Sequence, residues 1–408
     1  MGGSLGEIAG KLGVATVLEG SVQQAGGRVH LAVRLIDARS DDYIWSQEYD
    51  RGMEDVFAVQ ADVALNVADR LRATLTSEVE GRIETSPTEN IEAYKLLMRG
   101  RDIWNRATHE DRLEAIRLFE QASEAAPDYA DAYARLADAY RLITLYGYLP
   151  PEQMIPKAKE YARKALAIDE GNVLAHATLS GIAGHHEWKW KESERLCLRA
   201  IELNPGDAGC HAAYAWDLML RGRFDEAVAE QRKALELDPL SVGHRQNEGE
   251  ILYYARRYDE SIEASRRAIE MNPNYPQSRM FMGASYLGKG MREEALAALA
   301  QEQELSRGTR PEVENWIGFA YAMAGEKEKA RAVLDHLLEM SKERWVSPFV
   351  IATIYVGLGE QDRGFEWLGK AYEERDSRLA YLKVHPVYDI VKSDPRYLAM
   401  LERVGLAE

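Results

Sequence analysis

Two periodicities divide the chain. In the first fifty residues apolar and polar positions alternate, which places one face of a strand against a core and the other in water. Val14 to Gln23 reads as a first strand. Gly26-Gly27 supplies a hairpin turn, because glycine reaches positive φ without steric cost. Arg28 to Asp37 is a second strand, with Val29, Leu31, Val33 and Leu35 on one face and His30, Ala32 and Arg34 on the other. The turn ARSDD leads to a third strand, Tyr43 to Tyr49, with Trp45 near its middle. Ahead of the strands, residues 4–12 predict a short helix capped by Ser4, with Leu5, Ile8 and Leu12 on one side. Behind them a single long helix is expected from Met53 to Glu80. Glu54 and Asp55 lie in its first turn, where the helix dipole favours acids, and Val56, Val59, Val63, Val67, Leu71 and Leu75 form its stripe.

Beyond the linker TSPTEN (85–90) the pattern becomes helical and repeats. LNP ends at Pro205, LDP at Pro239 and MNP at Pro273, each 34 residues after the last. A small-residue column runs Ala115, Ala158, Ser193, Ala227, Ser261, Ala295, Ala330 and Gly364. A second, seven residues later, runs Ala122, Ala165, Ala200, Ala234, Ala268, Glu302, Leu337 and Ala371. Small side chains let helix backbones approach, so they recur where two helices cross most tightly. Turn signals such as RGRFD (221–225), AGEKE (324–328) and LGEQD (358–362) separate the two helices of a unit. The first step of the column is longer, and the extra length falls around LITLYGYLPPEQMIP (142–156), a surface insertion or a lip over a groove. Residues 377–406 break the period; Asp394 as N-cap and Pro395 at the first helical position start a last helix, expected to cap the exposed end of the stack.

Composition narrows the function. With 67 acids against 51 bases the formal charge is −16, which repels a phosphate backbone and disfavours nucleic acid as a partner. Two cysteines, Cys197 and Cys210, build neither a disulfide framework nor a four-ligand zinc site, and His176, His185, His186 and His211 fit no zinc spacing, so no metal is expected. The first residues lack the apolar core of a secretory signal and no stretch approaches the roughly 20 apolar residues of a membrane span, so a cytoplasmic chain without membrane contact is expected. Phosphate-binding glycine loops, GxSxG and HExxH are absent, and no cofactor or catalytic residue is assigned.

The two alanine columns, the bulky residues between them and the helix-ending prolines resemble the tetratricopeptide repeat over about residues 90–375. LGVATVLEGSV (12–22), RVHLAVRLIDA (28–38), IWSQEYDR (44–51) and DVFAVQADVA (55–64) resemble the end of the TolB-like domain of bacterial regulators. That family's domain starts with a further strand and helix for which this chain has no room, so a truncated domain with an open sheet edge is expected. The resemblances imply a mainly α fold, an α-α superhelical solenoid behind a small α+β domain. The division is 1–84 (ending in a long helix), a linker at 85–92, about eight repeats over 93–376 and a capping segment over 377–408.

In the register of the repeat family, a concave groove is lined by Ala212, Trp216, Met219 and Leu220, then Gln246, Glu250, Tyr253 and Tyr254. Met280, Ala284 and Leu287 follow, then Asn315, Phe319 and Met323. Aromatic and Met side chains in a groove suit an extended or helical peptide. The Lys/Asn/Arg clamp with which some relatives hold a C-terminal carboxylate is absent. The expected function is a non-catalytic scaffold that binds a protein or peptide, in bacterial signalling or transcriptional regulation. The alternatives are self-association, with a homodimer through the N-terminal sheet edge, or a sensory fragment of a larger regulator such as an adenylate cyclase.

Overall fold

A computed structural model of the chain describes residues 6, 9–10, 13–73, 75–105, 109–145, 149–275, 277–306 and 311–407. Ser4, Leu5, Ile8 and Leu12, which carry the expected first helix, lie outside the described residues. Two compact units are present: residues 1–96 with 124–128, and residues 97–123 with 129–408.

The first unit holds an antiparallel sheet in the order β1 (Thr16–Ala25), β2 (Arg28–Asp37), β3 (Tyr43–Gly52). Gly26 and Gly27 take φ of 57° and 79°, which closes a two-residue turn and sets Ala25 opposite Arg28. Val33, Leu35, Trp45 and Tyr49 are buried against Val59, Val63 and Val67 of helix α1 (Val56–Arg70). The Tyr49 hydroxyl donates to Asp62 at 2.6 Å, which satisfies the polar end of that ring.

The single helix expected over 53–80 is broken. A 3-10 turn, Met53–Asp55, leads into α1, and a separate helix α2 (Ser77–Glu84) starts where the Thr76 side chain accepts from the Val79 amide. Leu71 is exposed and Arg72 has φ of 55°, so the helix stops there, while Leu75 beyond the break is half-buried. The helix α1 also leaves β1 uncovered. Leu18 lies opposite Leu35 and Val22 opposite Leu31, on the apolar face, yet they are 50% and 67% exposed.

The second unit contains most of the helices. Eight helix pairs follow the linker among the described residues: α3 (Ile91–Trp104) with α4 (His109–Ala125), α5 (Ala130–Leu145) with α6 (Pro151–Ile168), α7 (Val173–His185) with α8 (Trp190–Leu203), α9 (Ala208–Leu220) with α10 (Phe224–Leu237), α11 (Val242–Tyr254) with α12 (Tyr258–Met271), α13 (Ser278–Gly288) with α14 (Arg292–Ser306), α15 (Pro311–Met323) with α16 (Lys327–Met340), and α17 (Pro348–Gly357) with α18 (Gln361–Glu373). Every member of both small-residue columns is buried on the second helix of its pair. Glu302, the one carboxylate in these columns, has a local reason. It accepts at 2.8 Å from the amide of Gln277, a residue held at φ of 75° just before α13. In the insertion, α5 runs on to Leu145, Pro150 takes the N-cap position and Pro151 the first position of α6, where a missing N–H costs nothing. Residues 146–148, the middle of that stretch, lie outside the described residues.

The superhelix winds far enough to meet itself. Tyr372 of α18 stacks on Trp188, in the turn between α7 and α8, with ring centroids 5.0 Å apart, and the Arg375 guanidinium lies 4.6 Å from the Trp188 ring centre. Residues 377–406 follow as two 3-10 turns, Ser377–Tyr381 and Pro386–Val391, and helix α19 (Pro395–Arg403). Asp394 caps α19 through the Arg396 amide at 2.9 Å, with Pro395 behind it. The segment does more than cap the last pair. It turns back along the inside of the solenoid, and most of its aliphatic and aromatic side chains belong to one buried cluster that extends from Trp188 to Leu406, with Ile390 and Leu398 left exposed.

Candidate functional site: the inner face and its occupant

Asp376 sets the direction of the returning segment. Its buried carboxylate accepts from the Ser347 hydroxyl, the Phe349 amide at 3.1 Å and the Arg378 amide at 3.0 Å, so one side chain ties the start of α17 to the first turn of the segment. Burial holds this carboxyl above its usual range. From there Arg378 donates to the carbonyl of Leu145 at 3.2 Å. Tyr381 packs on Tyr254 with centroids 5.3 Å apart and donates its hydroxyl to Glu250 at 3.3 Å.

His385 is the centre of the next contact. Its ring stacks on Trp316 at 4.9 Å and 19°, with Phe319, Phe349 and Tyr388 around it at 5.9 to 6.1 Å. Burial pushes its imidazole down to about 3, with Arg256 and Arg378 adding to the effect, so the ring is neutral. Arg256 donates to the Val384 carbonyl at 2.9 Å and pairs with Asp389 at 3.2 Å. At the far end the Trp190 indole N–H donates to the Val404 carbonyl at 2.8 Å, and Arg403 lies over Tyr372 at 3.7 Å.

The residues expected to line an open groove therefore divide. Trp216, Gln246, Glu250, Tyr254 and Met280 border a chamber inside the solenoid, whose other walls include Trp316, Arg378 and Tyr381. Phe319 faces His385, and Asn315 is buried one turn earlier on α15. Met219, Leu220 and Tyr253 are closed to solvent within the core; Ala212 and Ala284 are buried, and Leu287 packs against the same cluster. Met323 alone among them is exposed, at 41%. The expected open row of aromatic and Met side chains is thus divided: the chain's own C-terminal residues lie on Tyr254 and Phe319, while Met219, Leu220 and Tyr253 belong to the core. Trp316, Tyr381 and His385 were not singled out from the sequence. A signal was available: residues 377–406 bring five bases (Arg378, Lys383, Lys392, Arg396, Arg403) and three acids (Asp389, Asp394, Glu402) into a strongly acidic chain, with Tyr381, Tyr388 and Tyr397 among them.

Glu250 is the most perturbed acid on this face. It is fully enclosed, accepts from Tyr381 and, at 3.4 Å, from Gln246, and burial pushes its carboxyl up to about 7. The histidines noted in the sequence are structural in position. His185 and His186 are buried and held neutral by burial, while His211 bonds Glu230 at 2.6 Å and the Pro205 carbonyl at 3.1 Å. Cys197 is enclosed beside Ser180, and burial pushes its thiol up to about 12. Among the described residues no three His, Cys, Asp or Glu side chains converge as a metal-ligand set. Nor is any described helix long and apolar enough to cross a membrane.

Comparison with known proteins agrees with this geometry. The tetratricopeptide repeat family model matches residues 218–239 and 245–275. Over 180 residues, 43% of this chain, the sequence is 32% identical to putative adenylate cyclase 3 of Rhizobium meliloti (strain 1021). Over 145 residues, 36% of this chain, it is 28% identical to the transcriptional regulator HilA of Salmonella paratyphi A. The chain spans 30% and 26% of the lengths of those relatives. Among solved structures, the human IFIT1 dimer with m7Gppp-AAAA superposes with a TM-score of 0.52 at 15% identity, covering 84% of this chain and 76% of that one. The fold is a tetratricopeptide α-α superhelical solenoid preceded by a small α+β unit with a three-stranded sheet.

Proposed function

We propose that the chain is a non-catalytic protein-interaction module whose inner face receives a segment of a partner protein. Residues 377–406 are the internal occupant that the partner segment replaces. The observation that carries this reading is the seating of the segment itself: Tyr381 on Tyr254, His385 on Trp316 and the Val384 carbonyl on Arg256 form a peptide-in-groove contact made within one chain. Tetratricopeptide proteins generally mediate protein–protein interaction, and the partner segment expected here is aromatic and basic, like the one it displaces. The similarity to a putative adenylate cyclase and to a transcriptional regulator supports a place in a bacterial regulator, with TolB-like residues 12–64 ahead of the repeats.

Co-expressing residues 1–376 and 377–408 as two chains tests the reading. The pair should co-purify, and a fluorescent 377–406 peptide should exchange into the complex. A Tyr254→Ala, Trp316→Ala double variant should lose the exchange. Exchange unchanged in the double variant would sink the assignment.

A second reading rests on a separate observation, the uncovered apolar side chains of β1. We propose that two copies meet there, antiparallel strands pairing along the free edge with Leu18 and Val22 covered. Light scattering of wild type against a Leu18→Lys, Val22→Lys variant tests it: a monomer at high concentration in both rules it out.

A further inference from the structure

The returning segment does not fill the inside of the solenoid completely. A chamber of about 230 Å³ remains between α9, α11, α13 and α15 on one side and the Ser377–Tyr381 turn on the other. Its walls are of three kinds. Trp216, Tyr254 and Trp316 present aromatic rings. Gln246 and Asn247 present amides, and His244 has a buried Nδ1 with no hydrogen-bond partner. Arg112 and Arg378 present guanidinium groups.

Arg378 is the informative member. It spends one N–H on the Leu145 carbonyl, and among the described residues no carboxylate lies within ion-pair distance of its guanidinium. The remaining fork of donors matches a carboxylate or a phosphate. Glu250, the acid on the chamber wall, is raised by burial to about 7, so near neutral pH it carries only part of a full negative charge and offsets only part of the positive field there. Flat aromatic walls, edge-reading amides and a guanidinium fork together describe a complement for a planar ring that carries an anionic group.

We propose that this chamber binds a small organic anion borne on a flat ring, with Arg378 pairing the anionic group and Trp216, Tyr254 and Trp316 holding the ring. Two sources share that chemistry, aromatic carboxylates and nucleoside monophosphates. Because Arg378 and Tyr381 belong to residues 377–406, a ligand here fastens the segment in place. That coupling rests on the proposed function above, whereas the binding itself does not.

Thermal unfolding of the full chain, with tryptophan fluorescence as a second readout, tests the proposal in two arms. One arm adds AMP, GMP, CMP or UMP; the other adds indole-3-acetate or 4-hydroxybenzoate. The controls are adenosine and indole, rings without the anion, and inorganic phosphate and acetate, anions without the ring. At least one arm should raise Tm by several degrees at millimolar ligand and change the tryptophan signal, with the controls silent. Arg378→Gln should weaken the responding probe at least tenfold, and Trp216→Leu should do so independently. Silence in both arms overturns the proposal. So does an equal shift with phosphate or acetate, or an affinity unchanged in both variants. The two-chain peptide exchange described above, run without small ligands, fails or succeeds on its own and keeps the two readings apart.

Discussion

The indole N–H of Trp190 donates to the backbone carbonyl of Val404 at 2.8 Å, across 214 residues of sequence. Trp190 opens helix α8 of the third pair, and Val404 is fully buried at the end of α19. Together with Tyr372 on Trp188, this bond shows that the solenoid and its C-terminal segment close on the third pair rather than running on as an open stack.

Replacing Trp190 with Phe keeps most of the apolar bulk and removes the donor, leaving a buried carbonyl unpaired. The expected cost is about 1–3 kcal/mol, the usual penalty for such a group. Because the bond holds the last turn of the segment, the loss should be local first. Hydrogen exchange over residues 395–406 should accelerate before the repeats themselves open, and limited proteolysis should cut there first. Uniform acceleration along all pairs would contradict the closure argument.

His385 makes stability depend on acid. Its folded-state imidazole titrates near 3, well below the ordinary 6.5, so between those values the unfolded chain binds the proton and the fold does not. Its contribution is therefore intact above pH 6.5 and is lost as pH falls toward 3. His185 and His186, also buried and neutral, push in the same direction. Urea unfolding at pH 7 and pH 5 should show a fall in stability on acidification. His385→Phe, which keeps a ring against Trp316 and Phe349, should make that fall shallower; an identical slope would remove His385 from the account.

The sequence carried the repeat well and its closure poorly, for a physical reason. A small residue at a helix crossing is a local requirement, repeated once per unit, so Ala115 through Gly364 can be read from spacing alone. The covering of Tyr254, Trp316 and Phe319 depends on superhelical curvature summed over six pairs, which brings Tyr372 to Trp188. No local pattern encodes that sum. The periodic register therefore identifies side chains on the inner helices, such as Trp216, Glu250 and Tyr254, but leaves open whether water or the chain's own tail lies beyond them. The break after Arg70 was hidden similarly: the apolar stripe continues through Leu71 and Leu75, yet Leu71 is exposed and Arg72 turns to φ of 55°.

Glu250 acts with the opposite sign to His385. Its carboxyl is raised to about 7 from 4.5, so the fold binds a proton there that the unfolded chain releases between those values. Its contribution is present below pH 4.5 and is lost as pH rises toward 7. Glu250→Gln keeps the size and one carbonyl oxygen for the Tyr381 hydroxyl, and carries no charge at any pH. The variant should match wild type near pH 5 and exceed it in stability at pH 8, by isothermal denaturation. A variant weaker than wild type at pH 8 would mean that the charged form is needed at this site.

Two glycines on α18 give an internal comparison of packing against propensity. A Cβ on Gly364 would stand 2.5 Å from the Val356 Cγ2 of α17 and 3.4 Å from its backbone nitrogen, so the two helices must separate to admit it. A Cβ on Gly369, five residues on, would meet nothing within 4 Å. Gly364→Ala should therefore destabilise the last pair by about 1–3 kcal/mol through overpacking, despite the better helix former. Gly369→Ala should stabilise the same helix by about 0.5–1 kcal/mol, since alanine loses less backbone freedom on folding and gains no clash. Chemical denaturation of the two single variants decides the matter. Equal gains would show that the α17–α18 crossing is loose, whereas opposite signs fix Gly364 as the point of closest approach in the column that identified the repeat.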